Sequence, residues 1–217
     1  MNHKIVYFVV LVTILSCGNN QDNNNSFALK KESIDSMSVN KRIYMLFEIE
    51  NKQTFLLSEE EENNFFGALP NSFEEFKEFY ERSYQLDDGR NLYLSYDHHF
   101  LILLPNLYYI EKVEILKKLI NLSLNGNWDA DQISALQRCI QFKFAVEVKA
   151  ACDILSGFPE TEILKFWVFY FDGPHPENYQ KDFEELYQRY RTENVEIAEL
   201  MKRTYTELLR NSEAHAH

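Results

Sequence analysis

Apolar residues recur every three or four positions over most of this chain. The clearest run is Ile133, Leu136, Ile140, Phe144, Val148, Ala151 and Leu155, with Phe142 and Val146 widening the apolar face. This spacing puts the side chains on one side of a helix, and its breadth predicts a long central helix touched by several others. Gly157 fits the residue just past its C-terminus. Upstream, Ile110, Val113, Leu116, Leu119 and Ile120 mark a shorter amphipathic helix ending by Asn125-Gly126-Asn127. Ser58-Glu59-Glu60-Glu61 and Ser72-Phe73-Glu74-Glu75 both have the order of a capping box. In such a box the Ser oxygen takes the amide three residues on, and the Glu reaches back to the Ser amide. Two helices are therefore expected, divided at Leu69-Pro70, the second with Phe73, Phe76, Phe79 and Tyr80 on one face.

Other stretches are less plain. Ile43, Met45, Phe47 and Ile49 alternate as in a strand, with Glu50 to Gln53 as a turn, so a short β-hairpin near 42–58 stands as the alternative to two short helices. Tyr93 to Leu104 ends in a strongly apolar run before Pro105 and reads as a buried helix or a strand, preceded by a turn at Asp87-Asp88-Gly89. Ile163 to Phe171 is apolar on nearly every side and should be buried. Glu177 to Asn211 holds neither Pro nor Gly and predicts two helices, or one kinked near Thr192. No repeat of the solenoid kind is present. The expected fold is mostly α, a single-domain array of about six to nine helices over residues 41–217.

The N-terminus follows another pattern. Met1-Asn2-His3-Lys4 is a short basic stretch, and Ile5 to Leu15 is an uncharged apolar run of eleven residues. As a helix that run is about 16 Å long, well short of the ~30 Å hydrocarbon core, so a secretory signal fits better than a spanning anchor. Ile14-Leu15-Ser16-Cys17 resembles the bacterial lipobox, a resemblance that implies cleavage before Cys17 and a lipid on its sulfur. Gly18 to Ser26 is polar and rich in Asn, a composition that cannot pack a core. The expected layout is a signal peptide over 1–16, a lipidated Cys17 with a flexible tether over 17–40, and the folded domain beyond. Gly18 after the Cys resembles the outer-membrane sorting pattern of didermal bacteria. Asp22 alone is not the acidic cluster typical of surface-exported lipoproteins in Bacteroidetes-type bacteria, so a periplasm-facing position is the expectation.

Charge narrows the partners. The formal net charge is −12, which offers no footprint for nucleic-acid phosphates and favours a basic protein partner. Besides Cys17 only Cys139 and Cys152 remain. Thirteen residues apart on one predicted helix, about 20 Å, they are too distant for a disulfide and read as small core residues.

Four places could carry chemistry. Phe171 to Tyr179 holds Asp172 and His175 in a corner stiffened by Gly173, Pro174 and Pro176. A carboxylate and an imidazole there are the candidates for an acid/base pair or half a metal site. The plainer reading ends one helix at Asp172-Gly173 and starts the next at Pro176-Glu177. In Asn125 to Gln132, Asp129 and Asp131 beside two Asn faintly suggest a calcium loop, but the EF-hand order is missing. An N-cap with Trp128 as a hydrophobic staple explains the same residues. Asp97-His98-His99 holds adjacent histidines about 100° apart on a helix, and His215-Ala216-His217 sits on a terminus. Gly-rich phosphate loops, nucleophile elbows and Cys/His nucleophile patterns are absent, and no cofactor is implied.

The lipobox, the Asn-rich tether and the segments Leu69–Phe76, Asn125–Asp131 and Phe166–Tyr179 together resemble uncharacterised helical lipoproteins of Bacteroidetes-type bacteria. The resemblance spans roughly residues 58–190 and implies a helical, lipid-anchored envelope protein without implying an activity. The leading functional expectation is a protein-binding module, of the immunity or adaptor type, held to the membrane by its N-terminal lipid. A hydrolase or metal-dependent enzyme built on Asp172 and His175 is one alternative. An accessory lipoprotein of an envelope complex is another.

Overall fold

The computed structural model describes residues 37–50, 56–83, 99–127, 132–173 and 175–215, all within one compact unit. Ten α-helices and no strand occur among the described residues. In chain order they are α1 (Val39–Glu50), α2 (Glu59–Ala68), α3 (Phe73–Ser83), α4 (His99–Leu103), α5 (Lys112–Ser123), α6 (Gln132–Val146), α7 (Val148–Leu155), α8 (Glu160–Phe171), α9 (Gln180–Glu193) and α10 (Val195–His215). Short 3₁₀ turns, Leu104–Asn106 and Pro176–Tyr179, follow α4 and precede α9. No helix among these residues is long and apolar enough to cross a membrane.

The hairpin alternative near 42–58 is overturned, because Val39–Glu50 is helical. Ile43, Leu46 and Phe47 share a face and are buried where α1 packs on α2 and α3, whereas Met45, which the alternation placed with them, is only half-buried. Arg42 fixes that helix. Its buried guanidinium donates to the carbonyls of Ala68 (3.1 Å) and Leu69, the orphan acceptors at the end of α2. It also pairs with Glu75 and lies 4.9 Å over the Phe79 ring. Glu75 consequently closes only part of its expected capping box. Its amide donates to Ser72 Oγ (3.1 Å), but its carboxylate takes the Asn71 amide (2.6 Å) and Arg42. The Ser58 box is complete, with Ser58 N to Glu61 Oε2 at 2.8 Å and Glu61 N to Ser58 Oγ at 3.3 Å.

The predicted central helix is two helices, which raises the count above nine. Glu147 leaves helical geometry (φ −101°, ψ 45°) between α6 and α7. Phe144 O, the acceptor Val148 would use in an unbroken helix, instead takes the hydroxyl of buried Tyr190 at 3.1 Å. The break lets α7 lie against α5 and α9 while α6 meets α4, α5 and α8. Cys139 and Cys152 thus sit on different helices, buried and free. The last boundary falls at Asn194, not Thr192: Asn194 Oδ1 accepts from Ile197 N (3.1 Å), an N-cap for α10. Gly157 does not take the left-handed conformation expected of a C′ residue, and α7 runs out through turns instead.

At the centre stands α8, as its all-round apolar sequence requires. Trp167 is fully buried, edge-on to Phe166 (4.8 Å), Tyr170 (5.3 Å) and Tyr190 (5.2 Å). Edge-to-face rings of this kind add about 0.5–1.5 kcal/mol per pair beyond their buried area. α8 in turn packs on α5, α6 and α10.

Candidate functional site

The end of α8 is held by its neighbour α6. Gln137, almost wholly buried, donates its side-chain amide to the carbonyls of Phe169 (2.7 Å) and Asp172 (2.6 Å). One turn on, Gln141 donates to Tyr170 O (2.8 Å), and Tyr170 Oη returns a bond to Gln141 O (3.3 Å). Orphan carbonyls at a helix end need such partners when they are buried. The chain then turns: Asp172 Oδ1 accepts from Gly173 N (3.0 Å), and buried Pro176 begins the 3₁₀ turn while its carbonyl accepts from Tyr205 Oη (2.9 Å).

Within this corner the two predicted functional residues have separate partners. His175 is exposed, and its Nδ1 lies 3.0 Å from Glu177 Oε1. A backbone amide bond at its own residue, then the His175 ring, hold the Glu177 carboxyl below its ordinary range. Asp172 is half-buried and bonds within its own turn. Pro174 lies outside the described residues, as do Cys17, Trp128, Asp129, Asp131, Asp97 and His98. The neighbouring Asn125 and Gly126 have packing roles. Asn125 is left-handed (φ 62°) and its Oδ1 takes Lys165 Nζ at 2.7 Å. A Cβ on Gly126 would fall 2.7 Å from the Phe169 ring and 2.9 Å from that of Phe73. Among the described residues, no three His, Cys, Asp or Glu side chains are grouped to hold a metal ion.

Two features that the sequence did not mark are better formed. The first is a cleft of about 290 Å³ beside the corner, between α6 and α9. α9 packs on α7 and α10, which leaves a gap toward α6. Ala145, Phe171, Phe183 and Leu186 make its apolar floor; Gln141, Tyr170, Tyr179, Asp182, Glu185 and Arg189 surround it. Burial pushes the Tyr170 hydroxyl above its already high ordinary range, which keeps it protonated. Phe142 (55 % exposed) and Val146 (58 % exposed), expected to join the apolar face, lie on the solvent side of α6 next to the cleft wall.

The second feature lies between the Leu104–Asn106 turn and α5. Glu62 of α2 is 5 % exposed, and its carboxylate accepts from two successive backbone amides, Tyr108 N at 2.9 Å and Tyr109 N at 2.6 Å. Charge-assisted bonds of this kind are about twice as strong as neutral ones. They fix a non-helical turn that presents Tyr108 (84 % exposed) and Tyr109 (49 % exposed) as an edge-to-face pair 5.0 Å apart. Ile102 and Val113 are also exposed in the flanking elements. Two adjacent tyrosines outside any helical period were the available signal. Glu62 was hidden among four consecutive acids that suit a helix N-terminus equally well.

The buried thiols are inert by geometry: burial pushes both Cys139 and Cys152 up to about 12. Lys143, also buried, donates to Pro105 O (2.7 Å), and burial pulls its ammonium down, opposed by Glu147. That carboxylate is shared with Lys112 at 2.9 Å. No family model, curated protein or solved structure matches the chain.

Proposed function

We propose that this chain is a lipid-anchored envelope protein whose helical domain binds another protein, with the Tyr108–Tyr109 turn at the contact. The observation that carries the reading is the buried Glu62 carboxylate holding two exposed aromatic residues in one conformation. Tyrosine is enriched at interface hot spots, and a surface ordered before binding loses less entropy on association. The net charge of −12 supports a basic partner, whose encounter with the chain it would speed. The anchor is proposed from Ile14-Leu15-Ser16-Cys17, with attachment at Cys17 on the periplasmic side of the outer membrane. Immunity-type or adaptor roles both fit this reading, as does membership of the helical lipoproteins it resembles.

The test is affinity capture from native cells after gentle cross-linking, with a parallel Cys17→Ser strain. One dominant soluble protein at fixed stoichiometry supports a binding module. Co-purification of integral membrane proteins instead favours an accessory role in an envelope complex. Retention of no protein by a lipidated, folded chain counts against both. Release of the Cys17→Ser protein from the membrane fraction supports the anchor, and unchanged membrane association removes it.

A further inference from the structure

The cleft between α6 and α9 has a charge order of its own. Asp182, Glu185 and Arg189 lie along one stripe of α9 and line it together. Elsewhere such neighbours bond to each other, as Arg82 does to Glu78 (2.6 Å) and Gln188 to Glu184 (2.8 Å), both at i,i+4 spacing. Glu185 and Arg189 have the same spacing, yet among the described residues neither they nor Asp182 have a hydrogen-bond or ion-pair partner. Gln141, which also lines the cleft, commits its side-chain amide to Tyr170 O. Two carboxylates at one end and a guanidinium at the other face an apolar floor of Ala145, Phe171 and Leu186.

Those groups match a ligand with a cation and an anion separated by an apolar body. Along the helix axis Glu185 precedes Arg189 by about 6 Å and Asp182 precedes it by about 10 Å. An extended peptide covers about 3.3–3.6 Å per residue, so two or three residues set a free amino and a free carboxyl terminus about 7–10 Å apart. A cleft of about 290 Å³ is at the small end for ligand pockets, which suits a molecule of that size. Arginine's planar fork is the natural partner of a terminal carboxylate. We propose that the α6–α9 cleft binds a short zwitterionic peptide of two or three residues, its ammonium toward Asp182 and Glu185 and its carboxylate toward Arg189. The central side chain rests on the apolar floor. This site is separate from the Tyr108–Tyr109 turn and does not depend on a protein partner binding there.

The test is calorimetric titration of the full chain with the tripeptide Ala-Leu-Ala, its N-acetyl form and its C-amide form. The free tripeptide is expected to saturate at one per chain, with each blocked form at least tenfold weaker. Arg189→Gln should remove the penalty for amidation and leave that for acetylation. The paired change Asp182→Asn with Glu185→Gln should do the reverse. All three residues are exposed, so these variants keep the fold, which circular dichroism checks. Absence of saturation up to about 10 mM overturns the proposal. Equal binding of free and blocked forms also overturns it, as does discrimination that survives both sets of substitutions. A captured protein whose retention depends on Arg189, with no tripeptide saturation, would assign the cleft to a protein surface and likewise overturn it.

Discussion

Replacing Glu62 by Gln isolates the buried carboxylate that orders the tyrosine turn. The native oxygens accept from Tyr108 N and Tyr109 N at 2.9 and 2.6 Å, and hydrogen bonds to charged groups contribute about 1.5–3 kcal/mol each. Gln keeps one neutral acceptor and turns an NH₂ toward the other amide, so one bond weakens and the second is lost. The expected cost is about 2–4 kcal/mol. Urea unfolding measures the global part, and hydrogen exchange at the Tyr108 and Tyr109 amides measures the local part. Every 1.4 kcal/mol of local destabilisation is worth about tenfold in exchange, so a cost of that size should make the two amides exchange roughly 30- to 700-fold faster. Glu62→Ala removes both acceptors and should cost at least as much. A loss below about 0.5 kcal/mol, with both amides as protected as in the parent, would refute the role given to Glu62.

Other outcomes follow from the packing. Arg42→Met strips two α2 carbonyls and Glu75 of their partner, and the urea midpoint should report a loss of about 3–5 kcal/mol. Gly126→Ala pushes a methyl into the Phe73 and Phe169 rings and should cost about 1–3 kcal/mol in thermal unfolding, with less loss when Phe169→Leu makes room. Cys139 and Cys152 should resist a thiol reagent at pH 8 until the chain is unfolded. Because their folded values are raised, stability is unaffected by these thiols below about pH 9. It then falls as the unfolded chain ionises first, by roughly 1.4 kcal/mol per pH unit per thiol until about pH 12. Cys→Ala replacements should flatten that alkaline slope in urea titrations.

Much of the helical framework is readable from the chain because local signals and burial agree. The Ser58 box, the α5 stripe and the apolar girth of α8 need only neighbours within a turn or two. What was not readable depends on partners distant in sequence. The break at Glu147 has no Gly or Pro to announce it and is tied to a bond from Tyr190 to Phe144 O, 46 residues apart in sequence. Gln137 looks like an ordinary polar helix residue until α8 ends against it. Phe142 and Val146 continue the apolar period of α6, yet both are exposed in the fold. The cleft is equally hidden, since Glu185 and Arg189 have the spacing of a routine surface pair. At the Asp172–His175 corner, side-chain identity suggested chemistry, while the observed bonds cap the end of α8, close a turn and pair His175 with Glu177.

The most direct test of the binding account compares native-cell capture by the parent chain with capture by Tyr108→Ser/Tyr109→Ser, quantified by mass spectrometry. Both rings are exposed, so the variant should unfold at the parent's temperature. The account predicts that it retains at most about a tenth of the principal partner, the effect of losing hot-spot aromatics. Equal retention by a variant of equal stability would contradict it.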